Sequence, residues 1–487
     1  MAELNLNKNL SIDIEIVGKL VVKELILNDD QKSAIEYFNN WFITTQNIKD
    51  DRLLKKLTGS AGTGKTTLVS AILELAKTYF KRNKICICAP THKAKKVIQE
   101  KTQWGECETL QSLLGLKLDT SIEDFDVNNP QFNPIGERRI KEYDLVIIDE
   151  ASMINSELYN TINDNSIYFG THILFVGDTM QLNPVKETGI SPSLLSPEGY
   201  NLTKIIRQDK INPLLIVLNI LREDIFNNTN TYISYLQQVS SSFIEGIGGY
   251  AVLNANEFAS KMNNTFTNKL FKTDKNYCRY ITWTNKSIQD VNKYIRNTIF
   301  NYVEPLTDNE LLLSYKTVQR PKSDDILMVN SDDYVVLKTE KGKDQQYNLD
   351  ILVTKIKGVD TDKETILNFI YPEKSNLNRF RDIHDSLVQK AKNRGGRNAW
   401  KYFYDFRNSY ILTENIYEDG NGQYRKIDVK KDIDYGYSIT IHKSQGSTYN
   451  TVFVNGKDIN LNKNEVEKRR LWYVALSRAS NEVYINL

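Results

Sequence analysis

The chain has 487 residues, enough for about three or four domains, and its 63 Lys and Arg nearly balance its 61 Asp and Glu. A formal net charge of +2 excludes a cationic coat protein of the histone type, so any nucleic-acid site must be a local groove. The sequence contains no run of the ~18 apolar residues that a membrane helix needs, and its four cysteines include no C-x-x-C pair. We therefore expect a cytoplasmic protein with buried, reduced thiols, no membrane span and no structural metal. Abundant Asn, Lys, Ile and Tyr are typical of the AT-rich coding of phages and low-GC bacteria.

The N-terminal part of the chain carries little information on function. Residues 1–24 have no clear periodicity, and we interpret them as an extension or a short edge element. A helix is predicted next, with Asn28 or Asp29 as its N-cap. Gln31 lies in the first turn of this helix, and its amide can both donate to and accept from adenine. A solvent-exposed glutamine with no such role is the alternative.

A glycine-rich stretch lies between a strand-like segment and an amphipathic helix. Residues 59–67 have the sequence GSAGTGKTT and fit the pattern G-x-x-x-x-G-K-[ST] of a phosphate-binding loop. Glycines let backbone N–H groups close around a polyphosphate, and the helix directs its positive end at the same charge. Lys65 is expected to reach the β- and γ-phosphates, and Thr66 to ligate Mg²⁺. The other predicted nucleotide contacts in this loop are Gly62, Thr63, Gly64 and Thr67.

A second strand–helix unit follows, in which the apolar run ICICA at residues 85–89 precedes PTHKA. In an open parallel sheet, ligands meet the carboxyl ends of the strands. Thr91 and His92 therefore lie where a polymer that crosses the sheet would contact it. A helix-capping Thr91 and a solvated His92 are the alternatives.

The polar stretch at residues 104–142 predicts a small insertion with a hairpin. Aromatic side chains at the tip of such a hairpin can wedge into a duplex, and the polar part of this stretch contains Phe125 and Phe132. Phe at a hairpin more often packs inward, which is the alternative.

A buried-type strand at residues 144–148 ends in two carboxylates, Asp149 and Glu150. We expect them to have different tasks because the phosphate loop stands upstream. Asp149 would hold Mg²⁺ through water, and Glu150 would polarise the attacking water.

The next strand, at residues 173–176, is again followed by a glycine, an acid and a polar side chain. Asp178 and Gln181 would sense the γ-phosphate. Further along the chain, Arg207 could enter the same site.

A second α/β unit begins near Tyr280, and its sheet resumes only after a long interruption at residues 305–432. It ends with the sequence ITIHKSQGST and a helix that carries YVALSRA. Because this unit has no phosphate loop, Arg478 and Arg207 are predicted to stabilise charge, across a cleft, on nucleotide held by the first unit. Solvated arginines are the alternative for each.

The interruption divides into a β-rich half around residues 325–353 and a helical half. From residue 374 to residue 407, nine Lys and Arg stand against three Asp, with aromatic residues between them. Trp400 and its aromatic neighbours could stack on single-stranded bases, or they could pack the helical hairpin against a neighbouring domain. We favour packing, because large aromatic residues clustered this densely are more often buried.

In their order along the chain, these motifs resemble those of the superfamily 1 DNA helicases of the 5′→3′ class, especially its Dda-like and RecD-type members. The resemblance covers about residues 25–487. It implies an α/β fold of two RecA-like parallel-sheet domains, with a small pin insertion in the first and a β-barrel plus a helical hairpin in the second. The implied boundaries are 25–103 and 143–220 for the first RecA-like domain, 104–142 for the pin, 221–304 and 433–487 for the second RecA-like domain, and 305–432 for the barrel and hairpin.

The resemblance also assigns roles to single residues. It implies that Gln31 contacts adenine, that Gln181 couples the γ-phosphate to movement, and that Gly446 contacts the nucleotide. It makes arginine fingers of Arg207 and Arg478. The residues that it places along the DNA path are Thr91, His92, Thr109, Ser112, Asn285, His442, Ser444 and Thr448, and Trp400 is added as the stacking candidate.

By this resemblance, we expect a hydrolase that uses ATP and Mg²⁺, moves 5′→3′ on single-stranded DNA and opens fork DNA in phage replication or recombination. A single-strand-binding protein is a candidate partner. Two alternatives stay open. One is a non-unwinding ATPase that strips proteins from DNA, which depends on whether residues 118–137 form a rigid pin. The other is an RNA-directed helicase, which would be expected to carry zinc-binding Cys/His modules that this sequence lacks.

Overall fold

The structure is a computed structural model that describes residues 27–118, 132–133, 136–184, 187, 189–204, 212–321, 323, 325–395, 397–417 and 427–487. The chain divides into two compact units. The described parts of unit 1 lie within Met1–Leu116, Gly136–Thr231 and Arg469–Ser477, and those of unit 2 within Lys117–Ile135, Tyr232–Lys468 and Arg478–Leu487. Three predictions fall outside the described residues: the extension at 1–24, a wedge at Phe125, and the role of Arg207.

Unit 1 is built on a parallel sheet. The first eight strands of the chain are β1 (Leu54–Gly59), β2 (Ile85–Ala89), β3 (Cys107–Thr109), β4 (Lys117–Leu118), β5 (Phe132–Asn133), β6 (Leu145–Ile148), β7 (His172–Gly177) and β8 (Gly199–Leu202). Six of them form one sheet in the order β3-β2-β6-β7-β1-β8, and every pair is parallel. Strands β2 and β6 are uninterrupted apolar runs, buried along their whole length, as is typical of parallel strands covered on both faces.

Helices and short 3₁₀ turns connect these strands. The helices are α1 (Asp29–Thr44), α2 (Lys65–Ala76), α3 (His92–Thr102), α4 (Leu110–Leu113), α5 (Ser156–Phe169), α6 (Pro192–Leu195) and α7 (Leu214–Asn227), and the 3₁₀ turns are Asp51–Leu53, Arg82–Lys84, Arg139–Glu142 and Ala151–Met153. The predicted domain boundary at residue 221 falls inside α7, which the contacts place in unit 1.

Among the described residues of unit 1, two buried clusters lie on opposite faces of the sheet. Ile85 and Ile87 enter the cluster that contains residues of α1 and α2, whereas Cys86 and Cys88 enter the other. This division follows from the alternation of side chains along a strand. The expectation of buried, free thiols is confirmed at Cys86 and Cys88, which lie on the same face of β2.

The insertion predicted at residues 104–142 contains the expected antiparallel pair. Strand β4 pairs with β5, with Leu118 opposite Phe132. The residues between these two strands lie outside the described ones, so the hairpin and its wedge stay predictions.

In the described part of unit 2, which also includes β4 and β5, the strands that follow β8 form two six-stranded sheets and two short pairs. They are β9 (Ser241–Ile244), β10 (Gly248–Val252), β11 (Cys278–Thr282), β12 (Leu311–Ser314), β13 (Val318–Gln319), β14 (Ile326–Met328), β15 (Asp333–Asp344), β16 (Leu349–Gly358), β17 (Glu364–Ile370), β18 (Tyr410–Ile411), β19 (Ile416–Tyr417), β20 (Ile427–Val429), β21 (Ile433–Tyr435), β22 (Ser438–Thr440), β23 (Tyr449–Asn455) and β24 (Ala479–Asn486). The first sheet has the order β22-β11-β23-β24-β10-β9 and is parallel except for β9 at its edge.

The second sheet of unit 2 has the order β18-β17-β16-β15-β12-β21 and is antiparallel except for the pair β17–β18. Its long strands β15 and β16 pair from Tyr334 opposite Gly358 to Asp344 opposite Leu349. These strands confirm the predicted β-rich half of the interruption. Closure into a barrel stays a prediction.

The helices that follow α7 are α8 (Thr231–Gln238), α9 (Ala255–Phe266), α10 (Lys269–Thr273), α11 (Asn285–Tyr294), α12 (Lys374–Arg394), α13 (Lys401–Ser409), α14 (Ile441–Ser444), α15 (Gly456–Ile459) and α16 (Glu465–Ser477). Helix α11 continues into a π turn at Ile295–Ile299, and α13 follows a 3₁₀ turn at Arg397–Trp400. In the part of the chain that the structure describes, no helix is both long and apolar enough to cross a bilayer.

Helices α12 and α13 form the predicted helical hairpin, which turns after Gly395 at φ +64°. The aromatic residues of the hairpin mostly point inward. Trp400 packs edge-to-face on Phe403, and Phe380 and Phe406 join a buried cluster with the antiparallel sheet. The favoured burial of these aromatic residues is therefore confirmed, but the predicted partner is wrong: among the described residues they pack within the hairpin and on the sheet beside it, both inside the insertion, rather than on a neighbouring domain.

Buried ion pairs tie the antiparallel sheet to the parallel sheet within unit 2. Arg279 on β11 donates to Asp333 at the start of β15 over 3.2 Å and to the carbonyl of Gly436. Arg296, after α11, donates to Glu310 just before β12. Because removal of one member leaves an unpaired buried charge, these pairs fix the position of the antiparallel sheet.

Candidate nucleotide site and nucleic-acid cleft

The phosphate loop joins β1 to α2. Gly62 and Gly64 have φ of +87° and +78°, a region that glycine enters without a steric cost. A Cβ at Gly59 would lie 2.7 Å from Thr63 Oγ1, so this glycine permits the close turn. Gly64 is the N-cap of α2 and supplies no side-chain cap, which leaves the first amides of the helix available to an anion.

Within this loop the charged side chain folds onto its own backbone. Lys65 Nζ donates to the carbonyls of Gly59 and Ser60 over 2.7 and 3.1 Å. Thr63 Oγ1 also donates to Ser60 O over 2.9 Å. The ammonium is therefore held at the loop, where phosphate oxygens would compete with carbonyl oxygens for it.

Gln31 reaches the same loop from α1. It forms the predicted cap with Asn28: Asn28 Oδ1 accepts from Gln31 N over 2.9 Å, and Gln31 Oε1 accepts from Asn28 N over 3.1 Å. Gln31 Nε2 donates to Gly64 O over 3.4 Å, and the residue is 1% exposed. The glutamine is buried beside the loop, and its contact with adenine stays a prediction.

Asp149 and Glu150 follow β6, which is separated in the sheet from β1 and its phosphate loop by one strand, β7. Burial raises the pKa of Asp149, while a hydrogen bond from the Glu150 backbone and the charge of Lys65 oppose that shift. Glu150 itself lies in the left-handed region, at φ +52°. A non-glycine residue in this region stores strain, which is common at functional sites.

The loop after β7 carries Asp178 and Gln181, both predicted to sense phosphate. Asp178 is 2% exposed, and its Oδ1 accepts from Met180 N over 2.9 Å. Gln181 Oε1 is buried and has no hydrogen-bond donor among the residues that the structure describes. An unpaired buried oxygen is costly, and a hydrogen bond donated by a ligand or a water molecule would remove that cost.

Residues Arg469–Ser477 of α16 belong to unit 1 and were not assigned a role from the sequence. Arg470 Nη1 donates to the carbonyls of Thr179 and Gln181, 2.6 Å in both cases. Tyr473 donates its hydroxyl to Asp178 Oδ2 over 2.7 Å. The YVALSRA motif contains both Tyr473 and Arg478, and it is the sequence feature from which a role for Tyr473 could have been predicted.

The DNA-path residues predicted in unit 1 lie at one edge of its sheet. Thr91 follows β2 and caps α3 by accepting from Ala94 N over 3.2 Å. Thr109 ends β3 and accepts from Ser112 N over 3.3 Å. Since Ala89 pairs with Thr109, the two capped helix starts are neighbours at the carboxyl edge of the sheet.

Two side chains at this edge have further contacts. Ser112 Oγ donates to Glu108 over 2.9 Å. Burial lowers the pKa of His92, so this half-buried ring favours its neutral form. The predicted contacts of His92 and Ser112 with DNA stay predictions.

The motif residues of unit 2 differ in accessibility. Asn285 and Thr448 are exposed, His442 and Gly446 are half-buried, and Ser444 and Arg478 are buried. Ser444 donates its hydroxyl to Ile441 O over 2.7 Å, and Arg478 Nη1 donates to Ser447 O over 3.4 Å. Burial lowers the pKa of His442.

Trp400 does not fit the DNA-binding set in which it was placed. Its ring is 4% exposed and offers no face to a base. Tyr402, two residues later, is 65% exposed and is the hairpin aromatic that sequence reasoning missed.

A cleft of about 1020 Å³ opens within unit 2. Its walls come from the start of α11, the segment after β12, the hairpin helix α13 and the helix α14. The basic residues that line it are Lys316, Arg407, Lys430, Lys431 and Lys443, and the ring-bearing residues are Tyr315, His384, Phe403, Tyr404 and Tyr417. Asn285, predicted to contact DNA, lies at this cleft.

The charge of the cleft is positive because its basic residues outnumber the two acids that line it, Asp432 and Asp434. Asp432 receives two hydrogen bonds from Arg407, over 2.7 and 3.1 Å, and Asp434 is bonded to Lys431. Lys443 lies 4.2 Å from the centre of the Tyr315 ring. Burial and the nearby Arg407 lower the pKa of Lys316 to about 7, so this lysine loses its positive charge as the pH rises through neutrality.

Comparisons with known proteins agree with this arrangement. An AAA domain family model matches residues 27–233, and a UvrD-like helicase C-terminal domain model matches residues 435–486. The ATP-dependent DNA helicase Dda of Enterobacteria phage T4 is 24% identical over 498 residues, covering 94% of this chain and 98% of that protein. The chain is related to Dda and the superfamily 1 helicases.

Two further comparisons are with a viral protein and with a solved helicase structure. An uncharacterized protein of Acanthamoeba polyphaga mimivirus is 26% identical over 487 residues, covering 88% of this chain and 94% of that protein. The crystal structure of Pif1 helicase from Candida albicans covers 95% of each chain with a TM-score of 0.50 at 18% identity. The predicted fold class, two RecA-like parallel-sheet domains with insertions, is confirmed.

The strain at Glu150 gives a stability prediction. Replacement by glycine (Glu150→Gly) removes the steric conflict of the left-handed conformation, so unit 1 should gain about 1 kcal/mol relative to Glu150→Gln, which keeps the Cβ. Thermal unfolding of the two variants measures the difference. Equal melting temperatures would show that the backbone at Glu150 is unstrained.

Proposed function

We propose that the chain is an ATP-dependent DNA helicase that translocates 5′→3′ on single-stranded DNA and unwinds fork DNA. The observation that carries this proposal is the convergence, at one edge of one sheet, of a phosphate loop, two carboxylates and a polar loop. Relationship to superfamily 1 helicases makes the chain an ATP-hydrolysing enzyme. The direction of movement and a role in phage replication or recombination rest on the resemblance of the motifs.

In this proposal the phosphate loop holds the β- and γ-phosphates. Its amides and the start of α2 contribute partial positive charge, and Lys65 contributes a full one. Gln31, buried beside Gly64, would contact adenine. Gly62, Thr63, Gly64, Thr66 and Thr67 complete the loop contacts.

The residues present fit a magnesium ion. Thr66 and Asp149 offer a hydroxyl and a carboxylate, which are the hard oxygen ligands that Mg²⁺ prefers. Burial disfavours the ionised form of the Asp149 carboxyl group, and a bound divalent cation would stabilise that form. Bound there, the ion would neutralise the charge that develops on the phosphates.

Glu150 is the proposed general base, which accepts a proton from the attacking water. Gln181 Oε1, which is buried without a donor among the described residues, would accept a hydrogen bond from that water, and the amide Nε2 would donate to the γ-phosphate. Arg207 and Arg478 as arginine fingers, and Gly446 as a nucleotide contact, are carried over from the resemblance.

The cleft of unit 2 supports single-stranded DNA as the polymer. Basic side chains follow the phosphate backbone, while aromatic rings provide stacking surfaces that accept any base. Asn285 and Lys443 lie at the cleft, and His442 is the neighbour of Lys443 in the sequence. Fork DNA and a single-strand-binding protein are the further partners proposed.

A strand-displacement assay tests the proposal. DNA duplexes with either a 5′ or a 3′ single-stranded tail are mixed with protein, ATP and Mg²⁺, alongside RNA duplexes with the same tails. Release of the strand from 5′-tailed DNA alone is expected. Release from 3′-tailed DNA contradicts the direction, release only from RNA identifies an RNA-directed helicase, and ATP hydrolysis without release identifies a protein-stripping ATPase.

The two key residues of the nucleotide site should fail in different ways. Lys65→Ala removes the cation at the phosphates, so ATP binding and hydrolysis are both lost. Glu150→Gln keeps the shape of the side chain but cannot accept a proton, so ATP still binds while kcat falls by about 10²- to 10⁴-fold. Nucleotide affinity and turnover are measured separately, with exposed Lys81→Ala as the control. Equal losses of ATP affinity in both variants would contradict these separate roles.

The cleft gives a prediction on salt dependence. If Lys443 contacts a phosphate, Lys443→Ala should lower the affinity for single-stranded DNA and reduce the slope of log K against log salt by about 0.7. Lys457→Ala, an exposed lysine of unit 2 outside the cleft, is the matched control and should leave the slope unchanged. Identical slopes for both variants would remove Lys443 from the DNA contacts.

A further inference from the structure

Tyr473 makes an unusual set of contacts in unit 1. Its side chain is fully buried, and its hydroxyl donates to Asp178 Oδ2 over 2.7 Å. The same oxygen accepts from the backbone N–H of Ala61, in the phosphate loop, over 3.2 Å. One hydroxyl therefore joins the phosphate loop to the loop after β7.

Arg222, on α7, completes this connection. Its Nη2 donates to Ala61 O over 3.1 Å, and its Nε lies 3.4 Å from the Tyr473 hydroxyl. Its guanidinium lies 5.5 Å from the centre of the Tyr473 ring. Ala61 is thus held at both its N–H and its C=O by side chains from outside the loop.

The same helix face also holds the other end of the loop after β7. Arg470 lies three residues before Tyr473, so both side chains project from one side of α16. Its two hydrogen bonds fix Thr179 and Gln181, while Tyr473 fixes Asp178. Gln181 therefore lies in a segment that is hydrogen-bonded to α16 both through its backbone carbonyls and through the Asp178 carboxylate.

The chemistry of the hydroxyl suits this role. Burial and the charge of Asp178 raise the pKa of Tyr473, so the hydroxyl keeps its proton and donates to the carboxylate at any ordinary pH. Its lone pairs stay available to the Ala61 N–H and the Arg222 side chain.

We infer that Tyr473 is a positioning residue for ATP hydrolysis, which fixes the Asp178–Gln181 loop relative to the phosphate loop through its hydroxyl. This inference rests on the proposed function and deepens it. Tyr473 does not contact the reacting atoms in this account. It sets the distance between the loop that binds phosphate and the loop that carries Gln181, and misplacement of a catalytic group by a small distance is enough to slow chemistry strongly.

The test is Tyr473→Phe, which keeps the ring against Arg222 and deletes only the hydroxyl. We expect kcat for ATP hydrolysis to fall by about 10- to 100-fold, because the geometry of the reacting groups is lost. KM should stay within about twofold, because the phosphate contacts themselves remain.

Tyr143→Phe is the matched control. Tyr143 is also a buried tyrosine of unit 1, and its hydroxyl donates to the Glu108 carboxylate over 2.7 Å. It precedes β6, at the strand end opposite Asp149. Both variants should lose melting temperature to a similar extent, but Tyr143→Phe should keep the wild-type kcat.

A double variant separates positioning from general damage. If Tyr473 acts through Asp178, then Tyr473→Phe combined with Asp178→Asn should lower kcat no further than the more damaging single change. Additive losses, or a Tyr473→Phe kcat equal to that of Tyr143→Phe, would overturn the inference. Failure of the proposed function is distinct, since the wild-type protein would then hydrolyse no ATP, or would hydrolyse it without releasing a strand from tailed DNA, whatever the effect of Tyr473→Phe on kcat.

Discussion

The nucleotide site depends on one constraint, which is that parallel strands of a sheet all end at the same edge. Strands β6, β7 and β1 are consecutive in the sheet of unit 1, with Ile148 opposite Phe175 and Thr58 opposite Gly177. The loops that follow them are therefore neighbours, although they are far apart in the sequence. They carry the carboxylates, the Gln181 loop and the phosphate loop, so the order of the strands assembles the site.

The polar groups at this edge are held in conditions that are unfavourable without a ligand. Burial raises the pKa of Asp149, Glu150 has a strained backbone, and Gln181 Oε1 has no donor among the described residues. Stored strain and unsatisfied buried groups are features of sites arranged before their substrate binds. The stability of the surrounding apolar strands makes such an arrangement possible, because buried strands such as β2 and β6 hold the edge in place.

Local patterns in the sequence predicted those features of the structure that depend on neighbouring residues of the chain. Apolar runs gave the strands, the glycine pattern gave the phosphate loop, and the density of aromatic residues predicted that Trp400 packs inward. Contacts between distant segments have no such signal. Tyr473 meets Asp178 across 295 positions of the chain, and α16 is divided between the two units. The cleft of unit 2 likewise combines side chains from several separate segments, so its paired acids and Lys316 could not be predicted.

The most direct test of this account is the rate of ATP hydrolysis with and without single-stranded DNA. A nucleotide site coupled to a polymer site should respond to the polymer, so saturating DNA is expected to raise kcat by about tenfold or more. Lys443→Ala should need more DNA for half of this effect, and Glu150→Gln should hydrolyse little ATP in either condition. A wild-type rate that is the same with DNA, with RNA and with neither would contradict the account.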